Sequence, residues 1–341
     1  MKKTTLKDIA EKLSVSASTV SRALQNNPRI SKDIRELILK TAKEMRYFEN
    51  KNFVLEPSKR MNVIGVIIPK INYHLYATAI SGIEKIAEEN NMRIIICQSN
   101  ESYEREKLLV KELVEIGVRG LIVSHAGGTK EFDHFLEAKK NNIPLVFFNR
   151  LCDEVDSDKV VIDNFRAAYE ATQHLIDIGC KNISYIGGPK DMQISNTRQR
   201  GYKKALKDNK IKLNEKLIDY CNFTRESNLS TARRLLYTPN YPDGILCFSD
   251  QVAISVMLAA KERGLSIPED ISIIGFNNEP VDELIQPSLT SIDQPGYEMG
   301  VTSAKLIIKR IKNYKGKHAR KILNSSLIIR NSTNKNKKLS T

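Results

Sequence analysis

The chain has 341 residues, 41% of them hydrophobic, with a formal net charge of +14. That length suits two or three domains with real cores, and the charge points to a polyanionic partner. No apolar run reaches membrane-spanning length, the basic N-terminus lacks the apolar core of a signal peptide, and the five cysteines include no C-x-x-C pair. A reduced, cytoplasmic protein with no membrane partner is expected.

The first predicted helix carries Leu6, Ile9, Ala10 and Leu13 at helical spacing, behind a Thr5 cap with Asp8 three residues on. Only Ser14 and Val15 separate it from Ser16, the cap of a second helix, so the pair reads as a helix-turn-helix. Val15 and Val20 are placed as a hydrophobic staple, and Val20, Ala23 and Leu24 form a narrow apolar stripe. The opposite face carries Ala17, Ser18, Ser21, Arg22 and Gln25, all short or polar apart from one long cation. Small groups let a helix approach another surface closely, and one Arg can read a guanine edge bidentately. Asn26, Asn27 and Pro28 break this helix, and Ser31 caps a third whose apolar positions are Ile34, Leu37, Ile38, Ala42 and Met45. Residues 1–60 hold 14 Lys/Arg against 7 Asp/Glu, half of the net charge in under a fifth of the chain. Phosphate binding requires such a footprint.

The string Thr5-Leu6-Lys7-Asp8-Ile9-Ala10, Val15-Ser16, Ser18-Thr19-Val20-Ser21-Arg22 and Asn50 after Arg46-Tyr47 resembles the LacI/GalR-type family of bacterial transcription regulators. The resemblance implies a DNA-binding head over 1–46 and a hinge over 47–62. DNA contacts are then expected from Thr5, Ser16, Ala17, Ser18, Thr19, Ser21, Arg22, Gln25 and Asn50, with a homodimer on a near-palindromic double-stranded operator. Family members form a hinge helix whose leucine wedges open the minor groove. Here Phe53 stands at the expected small residue and Glu56-Pro57 at the expected wedge. Phe53 and Leu55 offer another apolar wedge; the alternative is a linker ordered only through dimer contacts. Weaker DNA bending than the family norm is expected.

From Val63 short apolar runs alternate with helical stretches. Buried parallel strands are predicted at 63–68, 93–97, 120–123 and 145–148, with helices near 76–89, 103–116 and 131–140. The pattern repeats with strands at 160–162, 183–186, 218–221, 244–248 and 271–275 and helices near 164–178, 197–207, 226–236 and 250–263. A last stretch, with a strand at 289–293, a helix near 297–311 and a strand at 326–330, would cross back between the two sets. This is an α/β architecture of two doubly wound subdomains facing across a cleft. The resemblance implies a periplasmic-binding-protein-like effector and dimerisation domain over 63–333, followed by a polar basic tail, 334–341. A tetramerising leucine-heptad helix is absent from the sequence, which favours a dimer.

Catalytic signatures are missing. Ala126-Gly127-Gly128-Thr129-Lys130 lacks phosphate-loop spacing and reads as a turn leading into a helix. The five histidines show no zinc spacing, and no G-x-S-x-G elbow occurs. No enzyme activity, metal or cofactor is expected. Ligand sites in open α/β sheets lie beyond the carboxyl ends of strands. Those ends present Asn72 to Tyr76, Ser124, Asn149, Arg150, Arg198, Phe223, Ser249, Asp250, Asn277 and Gln294. By family correspondence Leu75 and Tyr76 flank the cleft, Phe223 is an aromatic platform, and Asn277 stands where many sugar-binding relatives have Asp. Amides, hydroxyls, an Arg fork and an aromatic face suit a polyhydroxylated small-molecule effector, a carbohydrate or derivative. Asp250 and Asn149 also suit helix caps, and Phe223 a core position; a cleft Arg198 needs a partner. Two other classes remain: a solute-binding receptor, disfavoured by the head and the missing signal peptide, and a sugar-modifying enzyme with a fused head.

Overall fold

The computed structural model describes residues 4–24, 27, 29–45, 61–313 and 315–334, in two compact units, 1–60 and 61–341. The expectations placed on Gln25, Asn26, Pro28, Asn50, Phe53, Leu55, Glu56 and Pro57 lie outside the described residues.

In the first unit three helices, α1 (Leu6–Lys12), α2 (Ala17–Leu24) and α3 (Lys32–Glu44), enclose a small core. Thr5 and Asp8 form a complete capping box at the start of α1. Ser14, at φ 52°, makes the tight turn into α2. Ile9, Val20, Ile38 and Ala42 are fully buried, and Leu6, Leu13, Val15, Leu24 and Met45 pack around them. Two expectations need correction. Ile34 and Leu37 are 44% and 53% exposed rather than core residues. The helices α1 and α2, of 7 and 8 residues, are too short to cover all of the 13-residue α3. Ser31 sits at the N-cap of α3 without a side-chain cap bond. Arg35 secures that corner instead, donating from Nη2 to the Asn27 and Ile30 carbonyls at 3.0 and 3.1 Å.

The second unit holds two six-stranded sheets. In the first, β1 (Val63–Ile68), β2 (Arg93–Gln98), β3 (Gly120–Val123), β4 (Leu145–Phe148) and β5 (Asp158–Ile162) are joined by β11 (Arg320–Leu323), all parallel, in the order β11-β5-β4-β3-β1-β2. The second contains β6 (Ile183–Gly187), β7 (Ile218–Tyr220), β8 (Gly244–Cys247), β9 (Ser272–Asn277), β10 (Thr290–Asp293) and β12 (Ser326–Ile328), in the order β12-β10-β9-β8-β6-β7 with only β12 antiparallel. The first lobe is completed by α4 (His74–Glu89), α5 (Tyr103–Ile116), α6 (Asp133–Lys140) and α11 (Gly296–Ile311). The second is completed by α7 (Asn164–Asp177), α8 (Gln193–Asp208), α9 (Arg225–Leu236) and α10 (Asp250–Glu262).

The chain crosses between lobes three times: after β5, after β10, and between β11 and β12. The residues predicted at 160–162 therefore end the first sheet rather than open the second set, because the doubly wound order needs β5 beside β4. Strand β11 was not predicted; its Arg320-Lys321-Ile322 are exposed and lack the apolar alternation of a half-buried strand. The strand β2 is not buried as expected. It sits at the sheet edge with β1 as its neighbour, which leaves Ile96 41% exposed and Cys97 half-buried.

The helices α4 and α11 pack with almost no clearance. A Cβ on Gly82 would lie 2.3 Å from the Tyr297 carbonyl oxygen, and one on Gly300 2.0 Å from that of Ala79. Absent side chains here let the two backbones touch, which fixes α11, the helix that returns the chain to the first lobe.

Candidate DNA-reading helix and ligand cleft

The cap of α2 is built as its residue types predict. Ser16 Oγ accepts from the Thr19 amide at 3.1 Å and contacts the Ser18 and Thr19 hydroxyls at 2.7 and 2.8 Å. Ser18 and Arg22 are exposed, Ala17, Thr19 and Ser21 half-buried, and Val20 and Ala23 face the core. Among the described residues the Arg22 guanidinium has no hydrogen-bond or ion-pair partner, so it is available to an incoming acceptor. Thr5 is exposed, but its hydroxyl is engaged with Asp8 at 2.7 Å.

The cleft lies between the two lobes of the second unit, at the carboxyl ends of both sheets. The space between its walls is about 540 Å³ and opens to solvent at its mouth. Of the predicted residues, the structure brings Leu75, Tyr76, Asn149, Arg150, Arg198, Phe223, Ser249, Asn277 and Gln294 together on its wall. Tyr73, inside the predicted 72–76 stretch, joins them. Ile194, Phe248, Gln251 and Glu279 also line it and were not predicted. Each lies within four residues of one that was, on the same strand end or first helical turn.

Three predicted residues do not face the cleft. Asn72 is exposed at the rim. Ser124 lies buried behind Tyr76, whose hydroxyl it meets at 3.1 Å. Asp250 has no exposed surface: its carboxylate accepts from Ser291 Oγ at 2.6 Å and from the Glu279 amide at 3.1 Å. It fastens the loop after β9 to the start of α10. The helix cap itself is Ser249, whose hydroxyl accepts from the Val252 amide.

Arg150 is buried and already paired. Its two terminal nitrogens donate to the Glu101 carboxylate at 2.7 and 2.8 Å, and Nη1 also reaches the His125 carbonyl at 2.8 Å. Burial works to raise the Glu101 carboxyl, but Arg150 and the Gly127 amide outweigh it and hold Glu101 below the usual carboxylate range. Glu101 thereby anchors the glycine-rich turn, and Glu106 secures it further from the Ala126 amide and Thr129 hydroxyl at 2.6 and 2.7 Å. That turn is indeed a connection into α6, with Gly127 against Phe223.

Arg198 differs from Arg150. It is 3% exposed, with its guanidinium carbon 3.3 Å from the centre of the Phe276 ring, and it donates to Asn164 Oδ1 at 2.8 Å and the Phe248 carbonyl at 2.7 Å. Its partners are neutral: among the described residues no carboxylate pairs with it, and Nη2 has no acceptor. Burial pushes it down to about 9, so it stays charged at neutral pH. A buried charge compensated only by neutral groups is costly and favours a ligand oxygen.

Two buried amide oxygens lining the same cleft are unpartnered among the described residues, Asn149 Oδ1 and Gln294 Oε1. The other ends of these amides are engaged. Asn149 Nδ2 donates to the Tyr76 hydroxyl at 3.0 Å, and Gln294 Nε2 donates to Asn277 Oδ1 at 2.6 Å. Asn149 and Asn277 sit at φ 61° and 112°, strained conformations held by the surrounding structure at the ends of β4 and β9. Tyr73 is pushed up to about 12, chiefly by burial, and is a neutral phenol at physiological pH. The cleft thus offers acceptors, a cationic donor, phenols and the Phe223 ring. Among the described residues no group of three His, Cys, Asp or Glu could hold a metal, and no helix is long and apolar enough to cross a membrane.

Comparison with known proteins agrees with both parts. A family model described as bacterial regulatory proteins, lacI family, matches residues 5–50, and one described as a periplasmic binding protein-like domain matches residues 172–333. Catabolite control protein A of Priestia megaterium is 33% identical, over 89% of this chain and 92% of its own length. The HTH-type transcriptional repressor CytR of Escherichia coli K12 is 32% identical over 96% of both chains, and the ribose operon repressor of Halalkalibacterium halodurans 30% identical over 97% of both. Among solved structures, a transcriptional regulator CelR–cellobiose complex superposes with a TM-score of 0.74 at 26% identity, covering 96% of this chain and 99% of its own. A LacI family regulator from Enterococcus faecium with bound ribose gives 0.70 at 30% identity, covering 79% of this chain and 98% of its own.

Proposed function

Because this chain belongs to the LacI family of bacterial regulatory proteins, and so is a DNA-binding transcription regulator, we propose that it represses from a near-palindromic operator as a homodimer. In this reading a sugar or sugar derivative, bound between the lobes of the second unit, sets the affinity for DNA. The relatives are transcription regulators, two of them named repressors, which favours regulation over catalysis.

The observation that carries the effector reading is the set of unmet polar groups that line one cleft from both lobes: Asn149 Oδ1, Gln294 Oε1 and Arg198 Nη2. A hydroxyl both donates and accepts, so neighbouring hydroxyls of one ring can satisfy both amide oxygens and the guanidinium, while a sugar's C–H face rests on Phe223. The related structures with cellobiose and with bound ribose are consistent with this chemistry. Dimerisation is supported by exposed apolar side chains on both lobes. Ile96 and Leu108 are 41% and 54% exposed on the first, and Leu258 and Leu284 37% and 80% on the second. The reading of DNA is assigned to Ala17, Ser18, Ser21 and Arg22 on α2, with further contacts from Thr5 at the start of α1, Ser16 at the cap of α2 and Thr19 within it.

A thermal-shift screen of mono- and disaccharides, followed by operator binding with and without each stabilising sugar, tests the proposal. Arg198→Ala should abolish the sugar response while ligand-free operator binding stays within about threefold of the parent, since typical couplings of about 1–3 kcal/mol change affinity roughly 5- to 150-fold. Full sugar response in Arg198→Ala would overturn the cleft assignment.

A further inference from the structure

The basic charge outside the head is concentrated in one place. Residues 299–341 hold 12 Lys/Arg and no Asp or Glu, while residues 61–298 are net acidic. Much of that charge lies on one end of the first lobe. All six strands of the first sheet run parallel, so their starts share one end and their carboxyl ends, at the cleft, the other. At the start end, the close of α6, the close of α11 and the loop that follows it border a broad groove open to solvent. Lys139, Lys315, Lys317 and His318 line it with the exposed Asp156, which lies 4.0 Å from Lys139 and 3.4 Å from His318, so Lys315 and Lys317 are its open cations among the described residues.

The loop bearing these cations is held in shape from below. Arg310 pairs with the buried Asp158 at 2.6 and 3.0 Å and donates to the Gly316 and Lys317 carbonyls at 2.6 and 2.9 Å. Asp158 also accepts from the Ala319 amide at 2.7 Å. Burial opposes ionisation of Asp158, but Arg310 and the Ala319 amide hold it below the usual carboxylate range. Lys315 and Lys317 are exposed, and among the described residues neither has a carboxylate partner. A loop whose backbone is held in place and which presents unpaired cations beside a groove suits a polyanion, because binding there need not also order the backbone.

The chain enters the second unit at this same end. The Met61 amide donates to the Gly117 carbonyl at 3.2 Å, and Arg119 Nη1 reaches Asn62 Oδ1 at 3.4 Å, both just ahead of strand starts. Residues 46–60 join this point to the head. We infer that the groove formed by Lys139, Lys315, Lys317 and His318 binds backbone phosphates of duplex DNA flanking the operator, a second contact independent of base sequence. It rests on the DNA-binding role of the head but adds a site in the effector domain. Phosphate contacts set affinity and register without reading sequence.

The test uses full-length protein and an operator selected by it from random duplexes. Affinity is measured on a duplex ending at the operator edges and on one extended by about 15 base pairs of unrelated sequence per side. The parent should bind the extended duplex at least tenfold more tightly at low salt. Its log affinity should also fall more steeply with log salt, by about 0.9 for each added phosphate contact. The double variant Lys315→Gln/Lys317→Gln should bind the short duplex as the parent does and lose the gain from extension. Lys207→Gln/Lys212→Gln, an equal charge change on exposed lysines of the second lobe, should keep it. Equal binding of both duplexes by the parent, or a retained gain in the first variant, overturns the inference. So does an equal loss in both variants, which would reflect bulk charge alone, or unchanged DNA binding with lost binding of a polyglutamate probe, which would mark an acidic protein partner. Failure to select any duplex would remove the DNA role of the head as well.

Discussion

Replacing Asp282 with Asn should make the protein less sensitive to rising pH. Asp282, in the short 3-10 turn Pro280–Glu283 after β9, has no exposed surface, and no N–H donor reaches either oxygen among the described residues, which leaves Asp250 as the group it faces. Burial, and next the facing Asp250, push it up to about 8, while Asp250 is itself pushed up to about 6, chiefly by burial. The buried pair shares protons, and both values belong to the pair. With the carboxyl raised above its unfolded value of about 3.9, the folded state binds the extra proton. Its stabilising effect is complete below about pH 4 and is lost as pH rises toward 8. The slope approaches that of one proton in that window, a loss on the order of a few kcal/mol between pH 5 and pH 7. Asn mimics the neutral acid in shape and can donate to Asp250, so Asp282→Asn should match the parent near pH 4 and exceed it increasingly toward pH 8. Urea unfolding of both proteins at pH 4, 5, 6, 7 and 8 measures this. A difference between them that does not change with pH would refute the reasoning.

Arg22→Ala should cost about 1–3 kcal/mol on the selected operator and relax preference at one base pair, as read by competition among single-base operator variants; equal loss on random DNA would make it a phosphate contact. Gly300→Ala should lower the thermal midpoint and destabilise the second unit by about 1–3 kcal/mol, since the Cβ meets the Ala79 carbonyl rather than a movable side chain.

The alternation of apolar runs with helical stretches made both lobes legible, because each buried strand must be apolar throughout and each helix amphipathic. The topology then made most of the cleft legible, since ligand residues follow strand ends; Asn149 after β4 and Asn277 at the end of β9 are found this way. Partnerships across the sequence were not legible. Arg150 and Glu101 lie 49 residues apart, and only folding shows that this Arg is already satisfied while Arg198 is not. Asp250 illustrates the same limit from the other side. A carboxylate in the first turn of a helix suits either a ligand or a structural bond, and the bonds from Ser291 and the Glu279 amide decide for structure. Strand β11 escaped because its register comes from β5 rather than from any pattern of its own.

The balance of forces across the cleft explains why a small ligand can govern so large a protein. The direct bonds between lobes near the cleft are few and polar: Lys70 to the Phe223 carbonyl at 3.4 Å, the His74 amide to Glu279 at 3.2 Å, Gln193 to Asp153 at 3.2 Å, and Lys130 to Asp191 at 2.9 Å. Lys130 and Asp191 are both solvent-exposed, so water replaces that pair with little loss on opening. Each lobe keeps its own apolar cores whether the cleft is open or shut. Opening therefore leaves those cores intact, and its apolar cost is confined to the cleft lining, chiefly Leu75, Ile194, Phe223 and Phe248. What also differs between the open and closed states is the fate of Asn149 Oδ1, Gln294 Oε1 and Arg198, which are costly to bury unmet and favourable to bury against hydroxyls. A ligand that satisfies all of them binds the closed state better than the open one by just those groups, and this difference is the whole of its leverage on the first lobe, where the chain enters from the head.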